Sequence, residues 1–415
     1  MTPTSTPTAA QVTETARRRE IFFLNLGHAL DHFVLLIYPT VVIGLELVYK
    51  RPYSELIALS STTFIAFGLF ALPAGWLADR WSRRNMMAAF FLGCGVSLVA
   101  IALSPNLVML TIAMLMLGIF AAIYHPVGMA MLIEASSAKG RSMGRTLAFN
   151  GVCGNLGVSL AAGISGALAY WVDWRAAFLL PALVLVASGV AYVWLTPDDR
   201  HHASKRVSTA AVPLSPKVMA VLFGLFICAA LGTGLVFNIL TIALPKIVDE
   251  GMSKDYSLVW VGGIATIVLL CGALAQVTIG RLVEIFSATT LFVIVNGIGF
   301  VGSLWAIYTT GFHQLAALGV AIAAIYAQVT VNDMILARYT ADAWRGRVYA
   351  VRFFLLFISA GLSIAAISLL HNAGGFSMVL GTNAAVALGL FLSTLVLVAV
   401  VARIETRHAA TQPAE

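Results

Sequence analysis

Charge is what this sequence has least of. Only 10% of its 415 residues are Asp, Glu, Lys or Arg, while 60% are hydrophobic and the mean hydropathy is +0.93. Soluble domains carry roughly 25% charged residues, so a water-soluble fold is excluded and the chain reads as an integral membrane protein. The nucleotide-binding signature G-x-x-x-x-G-K-[ST] is missing, which argues against direct drive by ATP. The four cysteines, Cys94, Cys153, Cys228 and Cys271, lie in apolar segments without C-x-x-C spacing and read as small hydrophobes. The net charge of +7 comes without any basic run interleaved with aromatics, so no nucleic-acid partner is expected. No short apolar stretch with a small-residue cleavage site follows the Thr/Pro-rich start, so the first apolar segment is expected to be retained.

What the chain has is apolar runs of about 20 residues or more, the length of a membrane crossing. They fall at 21–48, 56–78, 86–104, 107–134, 144–171, 175–195, 218–247, 257–280, 288–309, 313–337, 346–371 and 376–402. The expected fold is therefore all-α, with about twelve transmembrane helices in two six-helix halves. The halves are expected at 21–195 and 218–403, joined by a polar linker at 196–217, with a disordered tail at 1–20 and a short tail at 404–415. On this map 20 of the 25 Lys and Arg residues fall on one side, which predicts that side, and both termini, to be cytoplasmic. The pair His201-His202 sits in the linker and reads as solvated.

A link rich in Arg joins the second and third runs: Gly75-Trp-Leu-Ala-Asp79-Arg80-Trp-Ser-Arg83-Arg84. Its frame returns 205 residues later as Gly280-Arg-Leu-Val-Glu284-Ile-Phe-Ser287, and Ala121-Ala-Ile-Tyr124 returns as Ala323-Ala-Ile-Tyr326. Internal repeats of this kind mark transporters that rock one half against the other around a midplane site. Gly75, Leu77, Ala78, Asp79, Arg80, Arg83 and Arg84 resemble the loop between helices 2 and 3 of the major facilitator superfamily, roughly G-x-L-A-D-R-x-G-R-K; Ser82 stands where that family usually has Gly. The resemblance covers nearly all of residues 20–404. It implies helices 1, 4, 7 and 10 around a central cavity and proton-coupled transport. It also implies a cytoplasmic gate in which Asp79 and Arg83 engage Glu134, with Gly75, Arg80, Arg84, Arg145, Glu284 and Arg347 at the repeated gate positions.

The first run carries His28, Asp31 and His32 at i, i+3 and i+4, which puts all three on one side of a helix. Asp31 lies about ten residues into the run, roughly 15 Å at 1.5 Å per residue, near the midplane, where a carboxylate is costly unless protonated, paired or facing water. The fourth run places Tyr124-His125-Pro126 at a similar depth, and the proline frees a backbone carbonyl. Asp31, His28 and His125 are the candidates for proton coupling. Substrate contacts are expected from His32, Tyr124, Asn155, Asn238, Tyr326, Gln328 and Asn332. Leu26-Gly27-His28-x-x-Asp31, Tyr124-His125-Pro126 and Gly140-Arg141-Ser-Met-Gly144 with Gly154-Asn155-Leu156-Gly157 resemble the fosmidomycin-resistance branch of the superfamily, which exports drugs and other small compounds.

The sequence thus points to a non-enzymatic secondary transporter in a bacterial-type inner membrane, a proton-coupled exporter acting as a monomer, with no metal or other cofactor. The Gly-Pro motif common in helix 5 of antiporters is absent, so an importer of a small polar metabolite stays open. A non-transporting receptor and a membrane-embedded metal-dependent enzyme using His28, His32 and His125 are the rivals from other classes, because His at i,i+4 beside a carboxylate also suits zinc.

Overall fold

A computed structural model describes residues 9–136, 143–196, 216–252, 257–339 and 342–411. In chain order the helices are α1 (Ala9–Tyr49), α2 (Tyr53–Leu59), α3 (Ser61–Arg80), α4 (Arg83–Ala102), α5 (Leu107–Ala121), a π-helical turn (Tyr124–Gly128), α6 (Met129–Ser136), α7 (Met143–Trp171), α8 (Ala176–Leu195), α9 (Pro216–Gly251), α10 (Leu258–Leu282), α11 (Ala288–Ile307), α12 (Gly311–Tyr339) and α13 (Asp342–Thr411). Eleven described helical stretches are long and apolar enough to cross a membrane, the last running 50 residues from Phe354 to Arg403. That one is broken at Gly374 and Gly375, where Gly375 takes φ 65°. A positive φ drives the Cβ of an L-residue into its own carbonyl, which glycine avoids. The chain turns there, and the stretch makes two crossings, which brings the total to twelve.

The crossings divide into α1–α8 and α9–α13. In the first half α1 packs on α7, α4 on α8 and α5, and α3 on α5; in the second α9 packs on α13, α11 on α12 and α10 on α12. Two seams join the halves, α7 against α10 and α3 against α13. Lipid removes the hydrophobic drive for helix pairing, so close dispersion contact through small residues takes its place. The small-residue ridge of α7 serves both directions. A Cβ on Gly157 would stand 2.0 Å from the Ala29 carbonyl oxygen of α1, and one on Gly262 of α10 would stand 2.3 Å from that of Ala162.

One expectation about the ends needs correction. Helix α1 begins at Ala9, so residues 9–20, expected as part of a disordered tail, continue the helix. Glu14 pairs there with Arg17 and Arg18 at i+3 and i+4, the spacing that supports a polar helix in water. Helix α13 likewise runs past residue 404 to Thr411. Of the linker expected at 196–217, residues 197–215 lie outside the described residues.

Candidate functional site

Helix α1 lies against the π-helical turn and α7, and the three bring the midplane residues together. Proline at 126 offers no N–H and its ring opposes the carbonyl four residues back. The helix widens to a π turn over Tyr124–Gly128 instead of continuing straight, a form often found at functional sites. This turn aims Tyr124 and His125 at the face of α1 that carries His28, Asp31 and His32. Glycine at 154 makes room on the other side, since a Cβ there would stand 2.7 Å from the His28 ring.

The result is a packed group of imidazoles around one carboxylate. The His28 ring stacks on Tyr124 at 5.0 Å between centroids, and the His28, His32 and His125 rings meet pairwise at 4.9, 5.4 and 5.3 Å. Asp31 is fully buried, with His125 Nε2 at 3.4 Å from its Oδ2 and no hydrogen bond from either carboxylate oxygen among the described residues. His28 Nδ1 lies 2.7 Å from the Asn150 carbonyl oxygen. A carbonyl only accepts, so in this contact Nδ1 carries the proton and Nε2 keeps its lone pair. One nitrogen from each of the three histidines lies within 4.8 Å of the others. The second half reaches the group through Phe357 of α13, 4.9 Å from His125 and 4.5 Å from Phe67 of α3.

Tyr124, a candidate substrate contact, has its hydroxyl occupied: it donates to the Leu24 carbonyl at 2.8 Å and accepts from Asn150 Nδ2 at 3.0 Å. Asn150 also donates to Asn25 Oδ1 at 3.0 Å. Neither asparagine stood out in the sequence, where Asn150 sits in an ordinary small-residue helix. Nδ2 of Asn155 is buried without a hydrogen bond among the described residues.

In the second half the corresponding level holds amides and hydroxyls. Gln328 Nε2 donates to Thr233 Oγ1 at 2.9 Å, and Asn238 Nδ2 donates to the carbonyl of Gly234 on its own helix at 2.7 Å. Tyr326 packs on Phe237 at 5.0 Å. Its hydroxyl, with Gln328 Oε1 and Asn332 Oδ1, is buried without a hydrogen bond among the described residues. These second-half side chains form no contact group with the histidines.

The Arg-rich link also takes a definite form. Arg83 reaches Asp79 Oδ1 and Glu134 Oε2, each at 3.0 Å, so its planar fork bridges two carboxylates of the first half. Arg84 donates to the Thr196 carbonyl at 3.1 Å and to that of Val193, satisfying acceptors that the end of α8 leaves open. Arg80 stacks over Trp76 at 4.3 Å. Ser82, the departure from the usual Gly, caps α4 by accepting from Asn85 N–H at 3.0 Å, and Ser287 caps α11 by accepting from Thr290 N–H at 3.1 Å. A Cβ on Gly75 would come within 3.2 Å of Pro126. Arg145 and Glu284 are exposed, and the side chain of Arg347 lies outside the described residues.

A polar group at the opposite end was not anticipated. Lys246 of α9 pairs with Glu46 of α1 and Asp249 at 2.5 and 2.9 Å, and Glu250 pairs with His371 of α13 at 3.0 Å. The Glu46 carboxylate accepts from Tyr53 N–H at 3.0 Å, and Ser368 Oγ donates to the Ser54 carbonyl at 2.7 Å. These bonds tie the two halves together at that end. The signal was a lysine directly after Pro245 inside an apolar run, since an intramembrane charge is rare enough to ask for partners.

Comparison with known proteins agrees with this architecture. The profile described as Major Facilitator Superfamily matches residues 21–274. A multidrug resistance protein B homolog of Mycobacterium tuberculosis is 30% identical over 161 residues, 39% of this chain and 29% of that protein, so this chain spans under a third of that relative's length. The MFS-type transporter YybF of Bacillus subtilis is 24% identical over 324 residues, 71% of this chain and 76% of that one. A bacterial homolog of the human lysosomal transporter Spinster, solved inward-facing and occupied, superposes with a TM-score of 0.70 over 92% of this chain and 94% of that one at 14% identity, a likeness of fold. With its family profile, twelve crossings and two repeated halves, the chain belongs to the Major Facilitator Superfamily, a family of membrane transporters rather than enzymes.

Proposed function

We propose that this transporter is a proton-coupled exporter of a small organic compound, working by alternating access in a bacterial inner membrane with both termini in the cytoplasm. The observation that carries the reading is Asp31, a fully buried carboxylate facing His125 at 3.4 Å, with Phe357 of the second half packed on that histidine. An ionised carboxylate without positive charge nearby is costly in such surroundings, so Asp31 suits a group that takes up a proton in one state and hands it on in another. His125 is the neighbour that receives it. Phe357 moves with the second half, so rocking the halves changes what covers the pair. The Tyr326 hydroxyl and the amide oxygens of Gln328 and Asn332, buried without a hydrogen bond among the described residues, suit a substrate bearing hydrogen-bonding groups. The name of the Mycobacterium tuberculosis relative supports export of drug-like compounds.

The excess of Lys and Arg assigns the Arg83 end to the cytoplasm. The ties from Lys246 to Glu46 and from Ser368 to Ser54 then hold the halves together on the outer side. Proteoliposomes with an imposed pH gradient and candidate compounds on either side test the reading. Asp31→Asn keeps the size and removes the titratable group, so uphill transport should fall to background while exchange without a gradient persists. Undiminished uphill transport by Asp31→Asn would take the coupling role away from this residue.

A further inference from the structure

We propose that His28, His32 and His125, with Asp31 beside His125, form a binding site for a single divalent transition-metal ion. The sequence reading expected no metal, because no cysteine accompanies the histidines and the family resemblance points to transport; His28, His32 and His125 stood only as the set that a rival metal-dependent enzyme would use. The fold supplies the third imidazole. The π turn at Pro126 carries His125 to the same face, and one nitrogen from each histidine comes within 4.8 Å of the other two.

Three further features suit a metal. First, the donor set is three imidazoles, which with a water in the fourth position fits four-coordinate zinc or cobalt and is poor for magnesium or calcium, ions that favour all-oxygen shells. Second, ligating histidines typically donate their other ring N–H to a carbonyl or carboxylate, which fixes the tautomer and turns a lone pair toward the ion. His28 makes this contact with the Asn150 carbonyl at 2.7 Å, and Asn150 is itself held by Tyr124 and Asn25. Third, Asp31 is fully buried beside His125 with both oxygens unbonded among the described residues, so an entering cation meets an uncompensated acceptor.

Zinc–nitrogen bonds of about 2.0–2.1 Å in a tetrahedron put the nitrogens ~3.4 Å apart. The widest pair therefore has to close by about 1.4 Å from its 4.8 Å separation, so the His125 ring, whose side chain is only 10% exposed, has to shift against Phe67 and Phe357 as the ion enters. Phe67 and Phe357, in contact at 4.5 Å, form the wall beside His125. Phe357 belongs to the second half, so parting of the halves opens a path to the ion.

The site uses the same side chains as the proposed proton coupling, and any ligand that is protonated beforehand must release its proton to the solvent when the ion binds. Its test needs no transport. Tag-free, full-length protein in detergent is dialysed against Zn²⁺ and its metal content measured; Co²⁺ is added separately and followed by visible absorption. The expected result is one Zn²⁺ per chain and the intense bands of four-coordinate cobalt. His32→Gln and His125→Gln should each weaken Zn²⁺ binding beyond the roughly 10–100-fold that loss of an outer-shell partner costs, and replacement of the linker pair, His201→Ala with His202→Ala, should leave it unchanged. No bound Zn²⁺ in the wild type, six-coordinate cobalt alone, or affinity lost only with the linker pair would each overturn the proposal. Should His125→Gln fail to fold, His32→Gln and the wild-type cobalt spectrum decide. Gradient-driven transport by a protein that binds no Zn²⁺ sinks the metal site and spares the coupling role; Zn²⁺ binding without gradient-driven transport does the reverse.

Discussion

Both halves contain Ala-Ala-Ile-Tyr on the helix that faces the centre, and they part at the next residue. After Tyr124 come His125 and Pro126; after Tyr326 come Ala327 and Gln328. The proline opens a π turn in the first half, whereas α12 runs unbroken from Gly311 to Tyr339 in the second. The partner helix has diverged in step: α1 presents His28, Asp31 and His32, while the positions 206 residues on hold Gly234, Phe237 and Asn238. One fold therefore carries two chemistries at one depth, a titratable group on one side and amides with apolar packing on the other. On the proposed function, this division gives ion handling to one half and the organic substrate to the other.

The largest effect that probes this comparison concerns how each half brings its helix pair together. In the first half α7 meets α1 over Gly157, whose added Cβ would stand 2.0 Å from the Ala29 carbonyl oxygen. In the second half the glycine has changed helices: Gly234 of α9 faces Ser359 of α13, and an added Cβ would meet Ser359 Oγ at 2.0 Å. A backbone oxygen cannot swing aside, but a serine hydroxyl can rotate. Gly157→Ala should therefore cost about 3 kcal/mol or more, the upper part of the overpacking range, and lower the yield of monodisperse protein sharply. Gly234→Ala should cost about 1 kcal/mol. Equal melting temperatures for the two variants would remove the asymmetry.

A smaller effect separates the paired tyrosines. Tyr124 has its hydroxyl bonded to Leu24 and Asn150, whereas the Tyr326 hydroxyl is buried without a partner among the described residues. Tyr124→Phe leaves a buried carbonyl short of a donor and should destabilise by about 1–3 kcal/mol. Tyr326→Phe removes a hydroxyl whose burial without a bond is itself unfavourable, so thermal stability should hold or rise. If Tyr326 instead contacts the substrate, the same variant raises KM for transport without lowering stability, and the pair of readouts sharpens its assignment.

Much of this was legible in the sequence, for identifiable reasons. Apolar runs of crossing length gave the helices, and the gap between the runs 346–371 and 376–402 fell where the structure turns, at Gly374 and Gly375. The i, i+3, i+4 spacing of His28, Asp31 and His32 fixed their common face. What spacing does not give is which neighbour a face meets. Asn150 and Phe357 complete the site from α7 and α13, and nothing in their local sequence sets them apart. Tyr124 stood out through the repeat and was assigned to substrate, yet contact with the Leu24 carbonyl occupies its hydroxyl. The pairing of Lys246 was not legible because its partner Glu46 lies 200 residues away.

The smallest expected effect lies at the Arg83 end, where the halves differ again. The second copy of the link keeps its glycine, its acid and its capping serine, but Ala288 stands where Arg83 does, and Gly280 has open space where Gly75 faces Pro126. The bridging arginine is thus a feature of the first half alone. Its two acids are far from buried: Asp79 is 65% and Glu134 48% exposed at the side chain, against 25% for Arg83. Pairs so open to water contribute about 0.2–1 kcal/mol each. Arg83→Lys keeps the charge and loses the fork that reaches both acids at once. A shift of under ~1 kcal/mol in the balance between inward- and outward-facing states should follow, a change of about fivefold or less in their ratio. Distances between spin labels on the α3–α4 and α12–α13 links would read that shift directly. Identical distance distributions in wild type and Arg83→Lys would reduce the arginine to a membrane-surface anchor, and a swing well beyond fivefold would mean that the bridge is coupled to the second half through contacts that the exposed pairs alone do not provide.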